Sequence, residues 1–224
     1  MVFTGGSPGK SPAAVLVTSV DCFPMSSNPE LILASGSPRR QAMLRELDIT
    51  FRVRSADVDE RPKVNEDPEV YARRLARDKA MTVAEREGQS VFVLGADTTV
   101  SVLGRIYGKP HSRDEAMEML RELSGGEHRV TTGYALVAPG GKAVDGAVTT
   151  RVSMRSLSAD EIRWYVDTGE PFDKAGGYAI QGKAAHFVTE VHGSVSNVIG
   201  LPLSEVVLLL RMFGLPAALP GVPA

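Results

Sequence analysis

From residue 31 onward the chain alternates between short apolar runs and amphipathic stretches, and these two periods lay out the elements. LILA, residues 31–34, is a continuous apolar run that reads as a buried strand. Ser37 stands as an N-cap with Pro38 at the first helical position, predicting a helix over 37–47. A charged connection, FRVRSADVDERPKVNED, leads to Asp67-Pro68, which starts a long helix reaching Glu87. VFVLGA is apolar throughout, the mark of a strand covered on both faces. TTVSVLGRIYGKP reads as a strand turning through Leu103-Gly104-Arg105 into another. Two capping boxes, Ser112 with Glu115 and Ser158 with Glu161, open further helices. HRVTTGYALVA and AVTTRVSMRSL lie between them as strand candidates. A glycine-rich stretch, 173–202, holds at least one strand, and a final apolar helix spans 204–212. Strands and helices interleave with hairpins as well as crossovers, which predicts one α/β domain on a central mixed, twisted sheet with helices packed on it. The domain is expected over 29–213, with residues 1–28 as a poorly ordered extension and 214–224 as a flexible tail.

Composition narrows the class. The chain has 224 residues, 43% hydrophobic and 23% charged, enough for a single sizeable core. Its formal net charge of -2 does not suit a chain that coats nucleic acid or an acidic membrane, so any anion site must be local. The single cysteine, Cys22, rules out an intramolecular disulfide. No apolar run approaches the roughly 20 residues that span a bilayer. TGGSPGKS near the N-terminus resembles a P-loop, but Thr4 stands where the first glycine is required and no strand leads into it. Met25 is a plausible alternative start.

Candidate chemistry begins with Arg39 and Arg40 on the first turn of the 37–47 helix. Positive charges there oppose the helix dipole at a cost of roughly 0.3–1 kcal/mol each. An anion between them and the free N–H groups would remove that cost, because strand, Ser-Gly-Ser turn and helix start form a phosphate-binding geometry. Equally, the arginines could point to solvent and pair with Glu46 or another surface acid. Asp97 is expected at the carboxyl end of the VFVLGA strand, where ligands of open α/β sheets bind. Tyr71, Leu75 and Lys79 share one helix face, so Lys79 either snorkels to water or emerges beside Asp97. Lys109, before Pro110, has the same ambiguity. Asp57, Asp59 and Glu60 form either a solvated loop or part of a cation site. His111, His128, His186 and His192 lack metal-ligand spacing and read as loop or surface residues.

Together these stretches resemble the Maf family of nucleoside triphosphate pyrophosphatases. The matching motifs run in family order: LASGSPRR, the acid of DVDE, RLARDKA, GADTTV, GKP, LSGGEHRVTTG, GEPFDKAGGYAIQG and HGSVSNVIGLPL. They cover about 31–203. The resemblance implies a Maf or inosine-triphosphatase-like fold and hydrolysis of a nucleoside triphosphate to monophosphate and pyrophosphate with Mg²⁺ or Mn²⁺. Carried over by position, Arg39, Arg40, Lys79 and Lys109 would hold the triphosphate. Glu60 and Asp97 would bind the metal, with Asp97 as proton acceptor, and Arg39, Thr98 and Gln181 would set base selectivity. GADT with IQG looks like the branch preferring dTTP and UTP; the sister branch acts on 7-methyl-GTP. Cations beside Asp97 should lower its pKa further below about 3.9, so that it serves a water already activated by the metal. Gly108, Lys183, His186 and Thr99 depart from the family pattern. A nucleotide-binding regulator of cell division without turnover is the competing reading, and the acids Glu60 and Asp97 argue against it. The resemblance further implies a cytoplasmic homodimer with no nucleic-acid or membrane partner.

Overall fold

The computed structural model describes residues 30–88 and 90–215. The expected N-terminal extension, Cys22, Met25 and residues 216–224 lie outside the described residues. One sheet organises the rest, in the order β2-β1-β3-β5-β6-β7 with β4 paired to β3. These are β1 (Leu31–Leu33), β2 (Arg52–Val53), β3 (Phe92–Val102), β4 (Arg105–Tyr107), β5 (Glu127–Val137), β6 (Ala143–Met154) and β7 (Val188–His192). β1 runs parallel to β2 and β3, and the other pairings are antiparallel, so the sheet is mixed as the interleaved runs predict.

The helices are α1 (Pro38–Arg45), α2 (Pro68–Glu87), α3 (Arg113–Leu123), α4 (Ala159–Asp167), α5 (Val195–Ile199) and α6 (Leu203–Met212). Ser37 caps α1 by accepting from the Arg40 N–H, and Asp67 caps α2. The Ser158–Glu161 box is complete, whereas Glu115 sends its carboxylate to the His111 N–H, leaving the Ser112 box half formed. No helix among the described residues is long and apolar enough to cross a membrane.

β3 corrects the sequence reading in one respect that matters for the site. VFVLGA and TTVSV form a single strand, because β5 pairs with it continuously from Val93 to Ser101. That ladder carries the chain through Asp97, which sits in mid-strand opposite Gly133. On the other edge β1 pairs only with residues 92–94 and β4 only with 100–102. Residues 95–99 therefore face a gap in the sheet, just past the carboxyl end of β1.

One face of the sheet carries α2, laid directly on the backbone. Ala72, Ala76 and Ala80 are fully buried there, and the strands opposite them present Gly95 and Gly133. A Cβ on Gly95 would lie 2.2 Å from the Ala76 carbonyl oxygen, and one on Gly133 2.1 Å from that of Ala72. The other face is covered in two parts. α1 and α6 bury Leu33, Leu44, Leu94, Leu136 and Leu210, and this cluster reaches Leu215, two residues past the expected end of the domain. α3 and α4 bury Val100, Leu120, Val152 and Tyr165.

His128 belongs to that second cluster's surroundings rather than to a surface loop. It lies on β5, 2% exposed, with Nε2 2.6 Å from the Tyr178 hydroxyl. β5 alternates, and His128 shares the inward face with Val130, which the loop reading missed. Burial pushes its pKa down to about 4.

Gly133→Ala should destabilise the protein by about 1–3 kcal/mol or more through overpacking, measured by urea unfolding. Gly126→Ala, whose Cβ would approach nothing closer than 3.9 Å, should change little. His128 generates a second expectation. Its folded pKa is below its unfolded one, so its contribution is complete above about pH 6.5 and is lost as pH falls toward 4. Stability should drop by roughly 3 kcal/mol across that window, and His128→Gln should flatten the slope.

Candidate active site

The gap beside residues 95–99 opens into a cavity of about 390 Å³. Its walls come from the β1–α1 turn, the middle of β3, the segment after β4, the 173–181 loop and the end of α5. Five cationic side chains line it, Arg39, Arg40, Lys79, Lys109 and Lys174, against three carboxylates, Glu60, Asp97 and Asp173. A chain of net charge -2 thus concentrates positive charge in one place.

Asp97 and Lys79 form the centre. Because α2 rests on Gly95 and Gly133, the Lys79 ammonium reaches the strand and lies 2.6 Å from Asp97 Oδ1. Both side chains are only 12% exposed. The same ammonium is 2.7 Å from Glu60 Oε1, so one cation bridges two carboxylates. Of the DVDE acids only Glu60 turns inward; Asp59 is held by Arg61 through paired hydrogen bonds in the solvent. Tyr71, about two helical turns before Lys79, donates to the Glu60 carbonyl at 2.8 Å and fixes this loop over the cavity.

The two carboxyls respond differently to their surroundings. Burial raises the Asp97 pKa, and the attraction of Lys79 and Arg40 does not cancel it. The expectation that cations would lower it is therefore corrected: desolvation is the larger effect. For the more exposed Glu60, burial also pushes upward, but the Lys79 hydrogen bond and charge, with Lys109 and Arg40 behind it, bring the pKa below its ordinary value.

The adjacent arginines part company. Arg40 turns inward, where Nε donates to the Gly200 carbonyl at 2.7 Å, Nη1 to Ser35 Oγ at 3.0 Å and Nη2 to Thr98 Oγ1 at 2.9 Å. Burial lowers its pKa despite the nearby Asp97. Arg39 stays at the mouth, 30% exposed, with Nη1 3.5 Å from Asp173. Neither pairs with Glu46. Lys109 is exposed and lines the cavity, as do Gln181 and Thr98.

Sequence reasoning assigned no role to Lys174, Tyr178 or Asn197. Lys174 is buried, donating to the Glu170 carbonyl at 2.6 Å and to Asp173. Tyr178 forms part of the wall, braced by His128. Asn197, fully buried, ties α5 to the sheet through Nδ2 donation to the Val130 carbonyl and to Thr150. The signal for Lys174 is the Asp-Lys pair inside a glycine-rich stretch. Of the departures from the family pattern, Gly108 lines the cavity with open space at its Cβ, while Lys183 and His186 lie outside the lining.

Among the described residues no three His, Cys, Asp or Glu side chains gather as a metal cage. Glu60 and Asp97 supply two carboxylates facing a cationic cavity. That donor set fits Mg²⁺, which takes one or two carboxylates and fills its other positions with water and phosphate oxygens.

Known proteins share the sequence over most of the described residues. The profile of the Maf-like protein family matches residues 30–213. A dTTP/UTP pyrophosphatase from Myxococcus xanthus is 51% identical over 186 residues, 83% of this chain and 93% of its own length. One from Hahella chejuensis is 51% identical over 187 residues, 83% of this chain and 92% of its own. The solved structure of a HAM1 protein from Coxiella burnetii aligns with a TM-score of 0.45 at 17% identity, over 82% of this chain and 98% of that one. That last likeness is too slight to add to the fold described above.

Proposed function

This chain belongs to the Maf family, and from that membership we propose that it hydrolyses nucleoside triphosphates, dTTP and UTP foremost, to the monophosphate and pyrophosphate. The observation that carries the proposal is the Lys79 ammonium shared by Glu60 and Asp97 inside a cavity where cations outnumber acids. A protein that only binds a triphosphate has use for the cations. Two carboxylates beside them are a liability to binding unless they take part in chemistry.

A triphosphate carries about four negative charges near neutral pH, and the cavity answers them with donors at several points. Arg39 and Lys109, both lining the cavity, close on the β- and γ-phosphates, and Lys79 turns from its carboxylates to a phosphate oxygen. The Arg39 backbone N–H at the start of α1 adds the positive end of a helix dipole. Arg40 contributes charge and holds the β1–α1 turn to Gly200, with its donors facing the protein. Thr98 and Gln181 face the base, together with Arg39. Glu60 and Asp97 would be the protein ligands of a divalent cation, Mg²⁺ or Mn²⁺, which when bound supplies positive charge to the phosphate oxygens.

Water aligned with the α–β bond attacks the α-phosphorus, and Asp97 accepts its proton. Phosphoryl chemistry of this kind depends on alignment and charge neutralisation, which a mid-strand carboxylate held from both sides provides. A cytoplasmic location and a homodimer belong to the same proposal, and neither enters the chemistry.

The test is pyrophosphate release from dTTP, UTP, dCTP, GTP and 7-methyl-GTP with Mg²⁺. Release should be greatest from dTTP and UTP. Asp97→Asn should lower kcat by about 10²–10⁴-fold while nucleotide affinity changes less than tenfold. Preference for 7-methyl-GTP would leave the chemistry and overturn the selectivity. Binding without release from any triphosphate would overturn the enzyme.

A further inference from the structure

A chain of hydrogen bonds behind the cavity fixes where one proton lies. Arg40 Nη2 donates to Thr98 Oγ1 at 2.9 Å. Thr98 Oγ1 is 2.9 Å from Thr132 Oγ1, and Thr132 Oγ1 is 2.9 Å from the Asn197 carbonyl oxygen. A hydroxyl has one proton and two lone pairs, and a carbonyl only accepts. The Thr132 proton therefore goes to Asn197. Between the two threonines, Thr132 must then be the acceptor, and the Thr98 proton is committed to it. Arg40 occupies one lone pair of Thr98. What remains on Thr98, which lines the cavity, is a single lone pair.

The ends of this chain are fixed. The acceptor on Asn197 is its backbone carbonyl, which is fixed in α5 and also receives the Gly200 N–H at 3.0 Å, so it cannot turn away. Arg40 cannot swing either, because its Nη1 is held by Ser35 and its Nε by the Gly200 carbonyl. Among the described residues the only other acceptor near the Thr98 proton is the Gly200 carbonyl at 3.5 Å, at the limit of hydrogen bonding and already receiving Arg40 Nε. Thr132 itself is completely buried and outside the cavity lining.

We propose that Thr132 is a positioning residue for base selection. By taking the Thr98 proton it makes Thr98 a pure hydrogen-bond acceptor toward the cavity. Such a group favours a base that presents a ring N–H there, as the imide of uracil and thymine does. It disfavours cytosine, whose corresponding ring nitrogen is a bare acceptor. This rests on the reading above that the cavity takes a nucleoside triphosphate with Thr98 facing the base. It adds the reason that position can tell the pyrimidines apart, and assigns the cause to a residue that never touches the substrate.

The test compares kcat/KM for UTP and CTP, which share the sugar and the triphosphate. Wild type should prefer UTP, and N3-methyl-UTP, which lacks the ring N–H, should fall toward CTP. Thr132→Val keeps the shape and removes the acceptor, freeing the Thr98 proton for the cavity. The UTP/CTP ratio should fall about tenfold, the effect of one hydrogen bond of ordinary net strength. Thr132→Ser, which restores the hydroxyl, should keep the wild-type ratio. A purely structural role for Thr132 would slow both nucleotides alike. A UTP-selective enzyme whose ratio survives Thr132→Val, or one that turns over N3-methyl-UTP as well as UTP, overturns this inference alone. Should Thr132→Val fail to fold, the N3-methyl-UTP comparison on wild type decides. No release from any triphosphate overturns the underlying reading and this inference with it.

Discussion

The contact of Lys79 with Asp97 is what the rest of the site is arranged around, and it exists because a helix lies unusually close to a sheet. A carboxylate in the middle of a buried strand is costly unless a cation reaches it. The cation comes from α2, and α2 comes near enough because Gly95 and Gly133 present no side chain beneath Ala76 and Ala72. Gly133 is also the ladder partner of Asp97, so the residue that admits the helix stands directly across from the carboxylate the helix serves. Even with Lys79 at 2.6 Å, burial keeps the Asp97 pKa above its ordinary value.

The second constraint is the interruption of the sheet edge. β1 ends at Leu33 and β4 begins to pair only at Val100, so five residues of β3 are left open on one side. α1 begins beside that opening, which brings its first turn to the same place as Asp97. The two arginines of that turn then divide their work. Arg40 goes inward and fastens the turn to Gly200 and Thr98, while Arg39 remains at the mouth beside Asp173. A first-turn cation that would be unfavourable in isolation is compensated by buried acceptors in one case and by a carboxylate in the other.

Much of this was legible in the chain. Asp67-Pro68 marked the start of α2, and the spacing of Tyr71, Leu75 and Lys79 put the lysine on their shared face while leaving open whether its head met water or Asp97. Ser37-Pro38 marked α1. The polar run Asp97-Thr98-Thr99 hid the continuity of β3, because pairing with β5 is a long-range fact that no local pattern records. The two-residue β2 and the five-residue α5 are too short to carry a period of their own. His128 was misread because a lone histidine looks the same on a loop and on a buried strand face. For the site, the motifs supplied the residue types and their order. They could not show that Glu60 turns to Lys79, nor that Arg40 directs its donors into the protein, since both depend on contacts between distant segments.

The claim at the centre of this account is that the cavity directs water to the α-phosphorus with Asp97 as the proton acceptor. Hydrolysis of dTTP in ¹⁸O-labelled water, followed by mass analysis of both products, tests it most directly. The account predicts one labelled oxygen in the monophosphate and none in the pyrophosphate. Label in the pyrophosphate would place the attack at the β-phosphorus, and label in free orthophosphate would mean cleavage at the γ-position; either would contradict the assignment of this site.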